Sequence, residues 1–248
     1  MPLSHGAQLA RGFFGRRAGK TLTKRQAALM ADLLPRIGLD IDAPAPLDLH
    51  GLFDHPVGKI WLESGFGGGE HLIHRALQNP GTGFIGIEPF RNGMAKALVD
   101  IDERGLQNIR LYAEEAGALL DWLPPASLDG FYLLYPDPWP KPRHFKRRFI
   151  NRDNLERIAR VLKPGADFRL ASDIDSYVEW AVDQCAAHGA FRLVNMSAET
   201  ALEPWDGWPG TRYEEKALRE GRCPRYLTFE RTSVAIERGF EAADNDRK

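Results

Sequence analysis

The 248-residue sequence predicts an α/β fold: a mostly parallel sheet with helices on both faces. Two observations carry that expectation. Short apolar runs bounded by glycine or proline recur along the middle of the chain, and amphipathic stretches separate them, the pattern of repeated βαβ units. Lys59 to Glu63 reads as the first strand, Gly69 to Gln78 as a helix and Gly83 to Glu88 as the second strand. A helix over Asn92 to Arg104, a strand over Asn108 to Tyr112, a short helix over Ala116 to Leu123 and a strand over Phe131 to Tyr135 continue the alternation. Leu155, Ile158, Ala159 and Leu162 share one helical face within Asn151 to Leu162, and Lys163-Pro164-Gly165 is expected to end that helix. A strand over Phe168 to Ala171 and a helix over Tyr177 to His188 follow. Phe191 to Val194 and Arg225 to Phe229 then make seven strands. About 30 residues rich in Trp, Pro and Gly join the last two, including Trp205, Trp208, Pro209 and Gly210, and a connection this long is expected to be functional.

Composition narrows the function classes. With 43% hydrophobic and 27% charged residues, the chain is globular, and its length suits one domain with appendages. Cys185 and Cys223 are the only cysteines and neither has a CxxC partner, which fits a reducing, cytoplasmic setting and no zinc site. No apolar run approaches the roughly 18 residues of a membrane span, so no membrane role is expected. The net charge of -1 conceals an asymmetry: residues 1–25 carry six cations and no acid, residues 141–148 carry five more, and the rest of the chain is strongly acidic. Two concentrated basic segments on an acidic body point to a polyanionic partner. A mitochondrial presequence is a poorer account of the first segment, which has the single serine Ser4 and an RGFFGRR run. Residues 39–58, with Pro44, Pro46 and Pro56, read as a linker. The expected division is a basic arm over 1–40, a main domain over 41–231 and a polar tail over 232–248.

Between the first strand and its helix lies Glu63-Ser64-Gly65-Phe66-Gly67-Gly68-Gly69-Glu70. Gly65, Gly67 and Gly69 permit a turn with positive φ and close approach of a ligand to the backbone at a helix N-terminus. The dinucleotide fingerprint would need glycine at position 70, where Glu70 stands. Carboxylates at both ends of the loop would repel a pyrophosphate and tolerate a cation. Glu88 ends the second strand nineteen residues past Gly69, where an acid accepts hydrogen bonds from a ribose diol. A nucleoside with a cationic centre and no diphosphate describes S-adenosyl-L-methionine.

After the fourth strand comes PDPWPKPRHFKRR, Pro136 to Arg148, emerging at the carboxyl edge of the sheet where ligands of open α/β folds bind. Prolines on both sides of Asp137 restrict its backbone. This segment, IGIEPFRNG at Ile85 to Gly93, TRYEEKA at Thr211 to Ala217 and RRAGKTLTKRQ at Arg16 to Gln26 resemble the tRNA (guanine-N7)-methyltransferases, over Arg11 to Arg231. The resemblance implies a Rossmann-like class I fold dependent on S-adenosyl-L-methionine, with no metal. It implies methyl transfer to guanine N7 in the tRNA variable loop, at position 46. Carried over by position, Glu63, Glu88 and Asp137 bind the donor, with Asp137 also the active-site residue. Lys141, Asp173, Thr211, Arg212, Tyr213 and Glu214 contact the substrate. Where the family usually has aspartate or asparagine near the adenine, this chain has Glu114-Glu115, of which Glu115 aligns better.

Guanine N7 carries a lone pair and no proton, so its methylation needs no general base. Asp137 is therefore expected to orient and to stabilise charge. Asp173 either accepts from guanine N1 and N2 or caps the helix containing Tyr177. Lys141 to Arg148 would track phosphates, and the arm would order on the RNA. Trp205 and Trp208 either pack or stack on bases. Two alternatives stay open at this point: another acceptor (a different RNA, protein or small molecule) and a non-enzymatic RNA-binding module. Monomer and homodimer are both compatible with the sequence.

Overall fold

A computed structural model describes residues 15–194 and 200–234. Arg11 and the tail from position 235 therefore lie outside the described residues. Seven strands form one sheet: β1 (Lys59–Ser64), β2 (Thr82–Ile87), β3 (Ile109–Tyr112), β4 (Leu128–Leu134), β5 (Leu162–Ser172), β6 (Phe191–Leu193) and β7 (Arg225–Arg231). Their order is β3-β2-β1-β4-β5-β7-β6. The first five run parallel, and β7 lies antiparallel between β5 and β6. The order reverses at β1, so the carboxyl ends of β1, β2 and β4 border a switch point where the crevice of such sheets forms.

The helices are α1 (Lys24–Asp32), α2 (Leu34–Ile37), α3 (Glu70–Gln78), α4 (Arg91–Arg104), α5 (Ala116–Trp122), α6 (Arg152–Val161), α7 (Asp175–His188) and α8 (Arg212–Arg219). On one face Leu72, Ile73 and Ala76 of α3 and Met94, Ala97 and Leu98 of α4 pack on Phe84 and Leu111. On the other, Leu119 and Leu120 of α5, Leu155 and Ile158 of α6 and Tyr177 and Ala181 of α7 cover Leu62, Ile85, Phe131 and Phe168. The buried Cys185 belongs to that second cluster, whereas Cys223 is exposed. Among the described residues, no helix is long and apolar enough to cross a membrane, and no cluster of three His, Cys, Asp or Glu could hold a metal ion.

Three expectations need correction, and a fourth gains detail. Lys163-Pro164-Gly165 does end the helix, but it lies inside β5, as an irregularity in the pairing where Leu162 faces Leu128 and Asp167 faces Gly130. The fourth strand begins at Leu128, because Leu128 and Gly130 are as buried as the apolar run after them. Residues 39–58 are not a free linker: Leu49, Phe53 and Val57 are buried in the core, and Arg110 spreads its guanidinium over the Phe53 ring at 5.2 Å. The long connection between the last strands contains α8, whose Thr211 and Glu214 form a reciprocal capping box. That Thr-x-x-Glu spacing was a readable helix start.

Phe53→Ala should destabilise the protein by about 3 kcal/mol in urea unfolding, since it empties a filled core site. A loss near that of a surface truncation would show that 39–58 does act as a linker.

Candidate active site

The carboxyl ends of β1 and β2 each deliver a buried acid. Glu63 is 3% and Glu88 7% exposed. Gly65, Gly67 and Gly69 all have left-handed backbone, with φ of 74°, 60° and 83°, so the loop between β1 and α3 curls tightly over the sheet edge. Its Gly67 N–H donates to Glu88 Oε2 at 2.6 Å, and the Phe90 N–H donates to Oε1 at 2.8 Å. Burial lifts the Glu88 carboxyl above the usual range, against the pull of these two amides and of the Arg212 charge. Gly93 is the third residue of α4, and a Cβ there would run into the Gly67 carbonyl oxygen. Glycine at 93 in IGIEPFRNG is thus what lets α4 close on the loop.

Thr211 caps α8, so Arg212, Tyr213 and Glu214 form its first turn. Arg212 and Tyr213 lie directly against Gly67, whereas Gly65 faces open space. The structure therefore brings Glu63, Glu88, the three glycines, Arg212 and Tyr213 together. Glu214 is fully engaged: Oε2 accepts from Trp208 Nε1 at 2.6 Å and from the Thr211 N–H at 3.2 Å, and Oε1 accepts from the Tyr226 hydroxyl. Trp205 and Trp208 pack edge to face with each other and with Tyr226, which favours the packing reading of both.

Asp137 stands on the same edge, beyond β4. Tyr135 and Trp139, two residues before and after it, have positive φ of 49° and 40°, unusual for bulky side chains. The Tyr135 ring stacks on Tyr213 with centroids 6.3 Å apart, which joins the Asp137 segment to α8. Asp137 is exposed, yet crowding by protein raises its carboxyl above the ordinary carboxylate range. Arg148, expected to track phosphate, does something else: it is 1% exposed. Its Nε donates to the Pro138 carbonyl at 3.0 Å and its Nη1 to Ser176 O at 3.1 Å, with Phe145, Tyr177 and Trp180 around the guanidinium. It anchors the turn after Asp137 from beneath. Lys141, Arg143 and Lys146 are exposed where that turn continues.

Asp173 does not cap α7, where Ile174 holds the capping position. It accepts from Arg222 Nε at 2.6 Å through Oδ2. Glu115 and Glu114 are both engaged by Arg17, each at 2.9 Å. The arm is held further by the Gly19 N–H on Asn92 Oδ1 at 2.7 Å and by Arg25 on Asp102 and Glu103. Residues 15–25 thus already lie on the body, across the ends of β2 and β3. Sequence reasoning missed Gly93, Arg17, Arg222 and His71, the buried partner of Glu63. Only Gly93 had a signal, its place in a recognised motif.

Fold and acid-ringed glycine loop together define a Rossmann-like class I methyltransferase architecture. Solved structures with the same architecture include an antibiotic-related methyltransferase, with a TM-score of 0.51 at 16% identity over 86% of this chain and 97% of that one. A 16S rRNA methyltransferase has a TM-score of 0.51 at 19% identity over 71% of this chain and 89% of that one. A family described as putative methyltransferase matches residues 58–224. The tRNA (guanine-N(7)-)-methyltransferase of Rhizobium meliloti (strain 1021) is 56% identical over 93% of this chain and all of the relative. The enzyme of that name from Mesorhizobium japonicum is 56% identical over 93% of this chain and 99% of its own length. The chain belongs to the tRNA (guanine-N7)-methyltransferase family.

The raised Asp137 carboxyl has a stability consequence. A carboxyl whose folded pKa lies above its unfolded one favours folding while both states are protonated, and that contribution is lost as pH rises through the folded value. Asp137→Asn should therefore gain stability relative to the parent as pH rises above about 4, the ordinary range of an unfolded aspartate, in paired denaturation curves. A variant that loses ground over that rise would contradict the assigned shift. Gly93→Ala should cost about 1 to 3 kcal/mol by overpacking and speed exchange of the Gly67 amide. Unchanged exchange there would remove Gly93 from the loop's support.

Proposed function

We propose that this protein transfers a methyl group from S-adenosyl-L-methionine to N7 of the variable-loop guanosine (position 46) of tRNA, in the cytoplasm, with residues 41–231 as the catalytic domain. Methylation of tRNA guanine at N7 is the activity of its family. One observation carries the site assignment: two buried carboxylates, a left-handed glycine loop and the α8 segment meet at one sheet edge.

The residues suit the donor. Glu88 sits where it can accept from both ribose hydroxyls, and its buried carboxylate gains from any added hydrogen-bond donor. Glu63 supplies negative charge to a cationic ligand, and acids around the loop would repel a pyrophosphate. Gly65, Gly67 and Gly69 let the ligand lie against backbone. Glu115 is the candidate adenine neighbour and reaches it once Arg17 yields or shares its carboxylate. The donor supplies an electrophilic methyl on a sulfonium.

On the acceptor side, Arg212 and Tyr213 project from the α8 cap beside Gly67, and Tyr135 extends that aromatic surface towards Asp137. Thr211 and Glu214 hold this turn in shape through their capping box. Asp173 contributes a carboxylate for guanine N1 and N2 through the oxygen not used by Arg222. Since no proton leaves N7, the chain has only to align guanine with the methyl, and alignment of this sort contributes about 7 to 11 kcal/mol. Asp137 steadies the positive charge that passes to the purine. Lys141, Arg143 and Lys146, with Arg16, Lys20 and Lys24 of the arm, are the exposed cations for tRNA phosphates.

Incubation with unmodified tRNA transcript and donor, followed by chemical cleavage at 7-methylguanosine, tests the function directly. Product is expected from the parent protein and none from Asp137→Ala, which should still unfold cooperatively and no more easily than the parent. Methyl at any other atom would favour a different acceptor, and full activity in the variant would remove Asp137 from the site.

A further inference from the structure

Glu63 is a carboxylate taken out of water at the end of β1, and burial of an isolated charge is costly unless a partner answers it. The partner is His71, itself 3% exposed, whose Nδ1 lies 2.7 Å from Glu63 Oε2. His71 is the second residue of α3, so the turn that forms the glycine loop also aims the imidazole back at the strand. The ring has little freedom. Tyr132 of β4 meets it edge to face with centroids 4.6 Å apart, and Trp208 leans on it at 5.0 Å. Trp208 is in turn fixed by its Nε1 bond to Glu214 at 2.6 Å.

We propose that His71 is a positioning residue for donor binding: it holds the Glu63 carboxylate through Oε2 and so presents Oε1 to the cationic end of S-adenosyl-L-methionine. This rests on the donor reading above. A free carboxylate at this point would have several rotamers to choose from, and each would place its charge differently relative to the glycine loop. The bond to a clamped imidazole leaves one. Its contribution to donor affinity should match a hydrogen bond to a charged group, which corresponds to about tenfold or more in the dissociation constant. Neither partner touches the Asp137 segment directly, and Trp208, a link towards it, keeps its own bond to Glu214, so the main effect falls on donor affinity rather than turnover.

Calorimetric titration with S-adenosyl-L-methionine, in the absence of tRNA, separates the outcomes. The parent should bind. His71→Leu should bind about tenfold more weakly, while kcat at saturating donor and KM for tRNA stay near the parent's. His71→Asn, whose amide nitrogen overlays Nδ1, should recover most of the affinity. In a Glu63→Gln background, His71→Leu should add little further loss, because the charge it serves is gone. Undiminished affinity in a folded His71→Leu protein, or additive losses in the double variant, overturns the proposal. If Leu at 71 prevents folding, Asn against Gln replaces it: Asn retains affinity and the longer Gln loses it, and equal affinities overturn the proposal. No binding by the parent would instead sink the donor reading, and this inference with it.

Discussion

Holding two buried carboxyl groups at the edge of an apolar sheet is the constraint from which the rest of the site follows. Glu88 is answered by backbone amides from Gly67 and Phe90, and Glu63 by an imidazole from the next helix. Neither solution works unless the β1–α3 loop curls back across the strand ends, which its three left-handed glycines allow. The loop can stay there only because Gly93 lets α4 press against the Gly67 carbonyl. A chain of close approaches therefore runs from acid to amide to glycine to helix. Each link is an ordinary interaction, and together they hold the two acids and the glycine loop in one arrangement at the sheet edge.

The α8 side of the same edge is packed differently. Among the described residues, no helix covers β4, β5 and β7 on the α3 face; Trp205 and Trp208 lie there instead, packed on Tyr132 and Tyr226. Large rings joined by Trp N–H and Tyr O–H bonds to Glu214 give an irregular segment the rigidity that a helix would otherwise provide. That rigidity is transmitted to the first turn of α8 and, through the Tyr213 and Tyr135 rings, to the strained turn carrying Asp137. Backbone held in sparsely populated regions persists only where its surroundings over-determine it. Here Arg148 under Pro138 and the ring pair above Tyr135 provide that support.

Positive charge is spent in two ways. Arg17, Arg25, Arg148 and Arg222 serve the fold, on acids or carbonyls of the body. Arg16, Lys20, Lys24, Lys141, Arg143 and Lys146 remain exposed. A count of basic residues along the two segments therefore overstates what is offered to a polyanion. Burial sets only Arg148 apart; Arg17 and Arg25 lie at the surface and differ from the lysines in being paired with acids of the body, as suits a guanidinium that donates in several directions at once.

Local sequence determined the strands and most helices of this protein, because apolar period, glycine and proline act over a few residues. The pairing of glycine loop and Glu88 was legible for the same reason: a strand, a turn and a helix of fixed length set their separation. The PDPW segment and the Thr-Arg-Tyr-Glu turn stood out as motifs, but motif identity alone did not distinguish residues facing a ligand from those holding the turn. Tertiary structure decided that Arg148 is internal, that Arg17 lies on Glu114 and Glu115, that residues 39–58 fill the core and that His71 answers Glu63. Each of those facts depends on groups from separate elements meeting in space, and the energy of a buried charge is set by its neighbours there rather than by its neighbours along the chain.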